Sequence, residues 1–252
     1  MPRKIPISVC LFTTTRPRWG FIDCYKHTIE RLNQSIPLSD FGNLSAHIKI
    51  SDDSHFEKAD EMEDWLSGRG FNVLRTHKNW DKVGDQHAEG YYGDMYTLMS
   101  TQAVQNQPYM LLLEDDWLIN GEDLIGYFKK GVELLKKNKD VLCVRVNDEI
   151  NQDVSRATKI GANIYAQNKD YTKFGETLTF QPTILRVRDW YAAVRFINKN
   201  WHQLKGNHCE LVSGSIMKYL FSDKEEGCFT FFDPAKLSAK HIGTEEFANE
   251  HR

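Results

Sequence analysis

The sequence has no basic stripe, no long apolar run and no paired cysteines. Across 252 residues the formal net charge is -3 with both signs mixed along the chain, so nothing marks a surface that tracks a nucleic-acid backbone. Cys10, Cys24, Cys143, Cys209 and Cys228 are odd in number, scattered and without CxxC spacing. That pattern suggests neither a disulfide framework nor a zinc site, and it fits a reducing compartment. No apolar segment approaches the roughly 20 residues of a membrane span. Met1-Pro-Arg-Lys4 leads straight into a strand pattern rather than the apolar core of a signal peptide, so a cytoplasmic location is expected. Repeats, low-complexity tracts and linkers are also missing. With 40% hydrophobic residues the chain can bury a sizeable core, and residues 1–252 are read as one domain.

What is present centres on Tyr109-Met-Leu-Leu-Leu-Glu-Asp-Asp-Trp117. An apolar run ending in three acids reads as a strand buried on both faces whose end emerges at a sheet edge. If the extended geometry persists, Glu114 and Asp116 point to one side and Asp115 to the other. Adjacent carboxylates repel, and a hard divalent cation that shares its shell with phosphates would offset that repulsion. The plainer alternative is an acidic turn standing in water.

Around this stretch the pattern alternates strand and helix. Ile7–Thr13 reads as a first strand ended by Pro17, followed by a helix carrying Phe21, Tyr25, Ile29 and Leu32. A second strand over Ala46–Ile50 runs into Asp52-Asp-Ser54; Ser54 and Glu57 have capping-box spacing for a helix with Ala59, Met62 and Leu66. Phe71–Arg75 is a third strand, and the loop Asn79–Gln86, containing Gly84, precedes a long helix. After Trp117, Asn120 is expected to cap a helix, and Val141–Val146 is the next strand. This alternation predicts a mostly parallel α/β sheet flanked by helices. Residues 147–178 read as a long loop with a hairpin around Tyr165 and Tyr171. Thr177–Val187 reads as an edge or bulged strand because of Pro182. A helix with Trp190, Val194 and Ile197, another from Glu210 to Phe221, and a strand over Cys228–Phe232 complete a mixed α+β C-terminal part.

In an open α/β sheet, ligands bind beyond the carboxyl ends of the strands. Three such ends carry distinctive polar groups: Thr13-Thr-Thr-Arg16, Asp52-Asp-Ser54 and Glu114-Asp-Asp116. Parallel neighbouring strands would bring them to one crevice. The competing reading of Asp52 and Asp53 is that they flank a helix N-terminus, where the dipole favours carboxylates.

With these residues the sequence resembles the GT-A glycosyltransferases, enzymes that move a sugar from a nucleotide diphosphate to an acceptor. Asp52-Asp-Ser54 sits where that superfamily often has an Asp-Asp-Gly-Ser-like loop. Glu114-Asp-Asp116 looks like its DxD metal motif in a variant similar to that of family 2-like and N-acetylglucosaminyltransferase-type enzymes. The resemblance implies a GT-A fold with a nucleotide-sugar-binding half over 1–146 and an acceptor-binding half over 147–252. It implies Mn²⁺ or Mg²⁺ on Asp116, donor contacts from Glu114 and Asp115, base recognition by Asp52 or Asp53, and Thr13, Thr14, Thr15, Arg16 and Gly84 along the donor site. Lys240-His-Ile-Gly243 looks like the segment with which such enzymes reach the metal or diphosphate, making His241 a candidate ligand. Trp117 adjoins the acids and is the aromatic favoured for sugar stacking. Glu210, opening a helix after a turn-prone segment, is the candidate general base. The departures are the missing Gly of the Asp-Asp-Gly-Ser form and Glu in place of the first Asp of DxD.

The expected activity is therefore metal-dependent transfer from a UDP-sugar, or a GDP-sugar, to a hydroxyl of a glycan or other acceptor, with inversion. Rival readings are a nucleotidyltransferase or phosphohydrolase using the same acids, and a non-catalytic sugar-binding module. Against the first of these, no Gly-rich phosphate loop bearing Arg and Lys follows the first strand.

Overall fold

The computed structural model describes residues 4–16, 23–77, 86–148, 154–167, 181–204 and 229–242, with 212, 216, 217 and 220; at 86–92, 147–148, 156 and 201–202 the description is of backbone alone. In chain order the elements are β1 (Ile5–Thr14), α1 (Cys24–Ser35), β2 (Phe41–Ile50), α2 (Phe56–Ser67), β3 (Asn72–His77), α3 (Gln86–Met99), α4 (Gln102–Gln105), β4 (Tyr109–Glu114) and β5 (Trp117–Gly121). They continue as α5 (Leu124–Lys137), β6 (Cys143–Arg145), β7 (Asn147–Asp148), β8 (Thr158–Gly161), β9 (Ile164–Ala166), β10 (Thr183–Arg186), α6 (Val187–Lys199), α7 (Trp201–Leu204), β11 (Phe229–Phe232) and β12 (Leu237–His241).

A nine-stranded sheet has the order β3-β2-β1-β4-β10-β6-β11-β9-β8. β3, β2, β1 and β4 are parallel neighbours, so their carboxyl ends share one edge. β4 is buried on both faces, as its unbroken apolar run requires. Leu111 and Leu113 join Ile29, Leu32, Met62 and Phe128 under α1, α2 and α5. Met110 and Leu112 join Met95, Leu98, Trp190 and Val194 under α3 and α6. A small second sheet, β5-β12-β7, stands beyond the end of β4.

The expectation of a mostly parallel sheet flanked by helices holds, and several local readings change. β10 is no edge strand: it lies antiparallel between β4 and β6. Pro182 is accommodated because it stands just before the strand, where its carbonyl is the useful group, accepting from the Val146 N–H at 2.7 Å. Asn120 lies inside β5, and Asp123 caps α5 instead, its carboxylate accepting from the Gly126 N–H at 2.9 Å. The Ser54 capping box is replaced by Asp52, which accepts from the Ser54 N–H and opens a short 3-10 turn before α2. The hairpin near Tyr165 is β8–β9, turning at Asn163, whose φ of 60° suits an asparagine. Tyr171, Trp80, Gly84, Glu176 and Glu210 lie outside the described residues. Among the described residues no helix is long and apolar enough to cross a membrane.

Candidate functional site

The strand ends at Glu114, and Asp115 and Asp116 form the turn into β5. The simple alternation expected for the three acids therefore stops after the first, and the loop geometry places the other two. Asp115 is 4% exposed and lies on the α1 side. Its Oδ2 accepts from Thr13 Oγ1 at 2.6 Å, and its carbonyl accepts from Thr28 Oγ1 at 2.7 Å. β1 and α1 thus hold the turn from one side, as expected if the ends of β1 and β4 converge.

β12 holds it from the other side. The antiparallel ladder with β5 pairs His241 with Trp117, and the Ile242 N–H donates to the Asp116 carbonyl at 2.8 Å. His241 Nε2 lies 2.9 Å from Asp116 Oδ2, and its ring stacks on Trp117 with centroids 4.7 Å apart. Residues 125 apart in sequence meet here. Trp117 is 8% exposed, so its indole backs the imidazole and leaves little ring surface for a sugar. Among the described residues no three His, Cys, Asp or Glu side chains are grouped to hold a metal. The Asp116–His241 contact is a hydrogen bond or ion pair, and the two side chains could supply one carboxylate and one imidazole ligand to a divalent cation. Adjacent ligands of an octahedral ion bound at 2.0–2.1 Å are about 3 Å apart, close to the 2.9 Å separation here. Magnesium sites commonly use one or two carboxylates and complete the shell with water and phosphate.

The remaining candidates form a second group at the ends of β1 and β2. Thr15 is buried, its hydroxyl 3.1 Å from Ser51 Oγ and 3.3 Å from His55 Nδ1, so it organises the loop from inside. Thr14 Oγ1 accepts from the Arg16 N–H at 3.3 Å, and Arg16 is exposed. Asp52 Oδ1 takes both Ser54 hydrogen bonds, from Oγ at 2.6 Å and N–H at 2.8 Å; these hold its carboxyl below the usual carboxylate range. Asp53 pairs with His77 Nε2 at 2.6 Å and is the more exposed of that pair. Phe56, 44% exposed, packs its ring on His77 at 5.0 Å.

Nothing in the sequence reading singled out Thr28, or the set formed by buried His47 and Asp94 with half-buried Thr76. A signal existed: Thr28 and Asp94 are polar residues inside helical stripes that otherwise bury Tyr25, Ile29 and Leu32, or Met95 and Leu98. In the second sheet the parallel register pairs Asp148 with Ala239, two residues before His241.

No family model matches the sequence and no curated relative matches it. Solved structures do match in fold. The 4-diphosphocytidyl-2C-methyl-D-erythritol synthase from Anaerococcus prevotii aligns with TM-score 0.54 at 12% identity, over 98% of this chain and 97% of that one. GalNAc-T7, solved with UDP, GalNAc and Mn²⁺, aligns with TM-score 0.57 at 8% identity, over 93% of this chain and 43% of that one. The mannosyltransferase Ktr4p from S. cerevisiae aligns with TM-score 0.51 at 11% identity, over 96% and 72%. At such identities the likeness is one of fold: the chain has a GT-A-like α/β architecture.

Proposed function

We propose that the protein is a metal-dependent glycosyltransferase that transfers a sugar from a nucleotide diphosphate, UDP by preference, to a hydroxyl acceptor. The observation that carries this reading is the Asp116–His241 pair at the carboxyl edge of a GT-A-like sheet, fixed from both sides by β1 and β12. Asp116 and His241 would hold Mn²⁺ or Mg²⁺, and the bound ion would neutralise charge developing on the departing diphosphate. Thr13 and Thr28 keep Asp115 and its backbone in place, and Trp117 fixes the imidazole plane. Glu114 would contact the donor's sugar or ribose, and Asp52 or Asp53 the base. Transfer with inversion needs a carboxylate to take the acceptor's proton. Glu210 remains the first candidate for it, and Asp148, on the strand beside β12, is the second.

The test is incubation with a panel of nucleotide sugars and Mn²⁺, reading donor-specific binding and slow release of the nucleoside diphosphate. A second reading has one specific observation behind it: the diphosphocytidyl-methylerythritol synthase fold covers nearly all of both chains. A parallel panel of nucleoside triphosphates, read for pyrophosphate release, separates the two. Pyrophosphate from a triphosphate with no cleavage of any nucleotide sugar would replace glycosyl transfer by nucleotidyl transfer.

A further inference from the structure

A second polar cluster lies on the opposite face of the sheet from Asp115, at the same edge. His47 and Lys49 on β2 and Thr76 on β3 meet Asp94 of α3. Thr76 Oγ1 donates to Asp94 Oδ1 at 2.9 Å and lies 3.1 Å from His47 Nε2, while Lys49 Nζ stands 3.6 Å from Asp94 Oδ2. His47 and Asp94 are 1% and 3% exposed. The Phe12 ring, 5.9 Å from that of His47, separates them from Glu114, the ladder partner of Phe12 on β4.

Helix–sheet seams are ordinarily filled with aliphatic groups, and placing a carboxylate in one costs several kcal/mol before its partners offset it. Replacing such ions by hydrophobic residues is often neutral or stabilising, so holding the seam together does not explain the set. Lys49 distinguishes it. Its side chain is 21% exposed although its partner carboxylate is buried, and it occupies the last pair of the β1–β2 ladder, opposite Thr14. Asp94 thus anchors a partly exposed lysine whose backbone stands at the carboxyl edge. With strands about 4.8 Å apart, β2 and β4 are separated by roughly 10 Å across β1. Lys49 therefore stands at the same carboxyl edge as the acidic turn, which forms that edge's other pole. That pole repels anions unless a cation intervenes, whereas a lysine is a point-charge binder of phosphate.

We propose that Lys49 binds a phosphate-bearing ligand, the diphosphate of the nucleotide donor, and that Asp94, steadied by Thr76 and His47, is the positioning residue for its ammonium. The proposal rests on the reading of this edge as a nucleotide site, and pyrophosphate serves as a probe that does not depend on the nucleoside or the sugar. Calorimetric titrations with Mn²⁺ present compare the wild-type chain with Lys49→Met, Lys49→Arg, and the double variant Lys49→Met/Asp94→Asn. The double variant removes the charge together with its buried counter-charge, so it keeps the fold if the single variant does not, and thermal melting verifies this. The expected result is wild-type binding of pyrophosphate and UDP, weakened about tenfold to a hundredfold in the double variant and largely retained in Lys49→Arg. Wild-type affinity in a folded double variant, or failure of the wild-type chain to bind either anion, would overturn it. Lys49-dependent pyrophosphate binding without cleavage of any nucleotide sugar would leave this assignment standing and remove the glycosyltransferase reading.

Discussion

Asp116 is the residue on which the proposed chemistry turns. It is fully buried, its carboxylate meets His241, and its carbonyl is held by the Ile242 N–H. Asp116→Ala is expected to abolish the metal dependence of nucleotide binding, because the remaining acids repel an anion without a cation between them. Calorimetry with UDP, in Mn²⁺ and in chelator, checks this: equal affinity in both for the wild-type chain, or an intact metal effect in the variant, sinks it. Thr13→Val keeps the shape and removes the hydroxyl that donates to buried Asp115. A loss of roughly 1–3 kcal/mol in denaturant unfolding is expected, together with weaker metal-dependent binding. Cys10, by contrast, is inert: burial pushes its thiol up to about 12, leaving almost no thiolate at neutral pH.

Between elements, two polar devices hold helices in place. Arg186, at the end of β10, donates to the Leu135, Asn138 and Val141 carbonyls and to Asp189. It therefore satisfies the Leu135 carbonyl in the last turn of α5, which has no partner within the helix, and the carbonyls of Asn138 and Val141 just beyond it. Arg186→Met should cost about 3 kcal/mol in unfolding free energy. Donor affinity per folded molecule should stay unchanged, since Arg186 pairs with Tyr109 at the opposite end of β4 from the acids. The second device joins α1 to α2: Lys58 and Lys26 each bridge Asp23 and Glu61 at 2.9–3.1 Å. Burial opposes the charged form of Asp23, but the two ammonium groups outweigh it and hold the carboxyl below its ordinary 3.8. A lowered folded value means that the unfolded chain binds the proton first. The contribution is therefore full above 3.8, declines below it, and vanishes once the pH has fallen through the folded value. Asp23→Asn is expected to lower the neutral plateau of a melting-temperature profile modestly and to converge with the wild type in acid, so that its acid limb is flatter; an unchanged acid limb would refute the assignment.

Over the whole molecule, ligand occupancy should be felt where the two sheets meet. Mn²⁺ with UDP is expected to slow amide exchange in Trp117–Gly121, which follows Asp116, and in Leu237–Ile242, which contains His241, and to leave the β8–β9 hairpin unaffected. Protection confined to the hairpin, or none, would count against the site. The sequence by itself determined the elements whose pattern is local: β1, β2, β3 and β4, the helices between them, and the acidic end of β4, because an apolar run closed by charges has few ways to be buried. It also put Thr13 and Asp115 at one edge, since parallel neighbours share their carboxyl ends. Only the tertiary structure decided what depends on distant pairing. β10 enters antiparallel beside β4, where Pro182 stands just outside the strand instead of demoting it to an edge. β5 and β12 pair across more than a hundred residues and bring His241 onto Asp116. Asp94, an acid in an apolar helical stripe, reads locally as a flaw. Its partners Thr76, His47 and Lys49 come from two other strands, and a stripe of side chains along one helix carries no information about what the facing sheet presents.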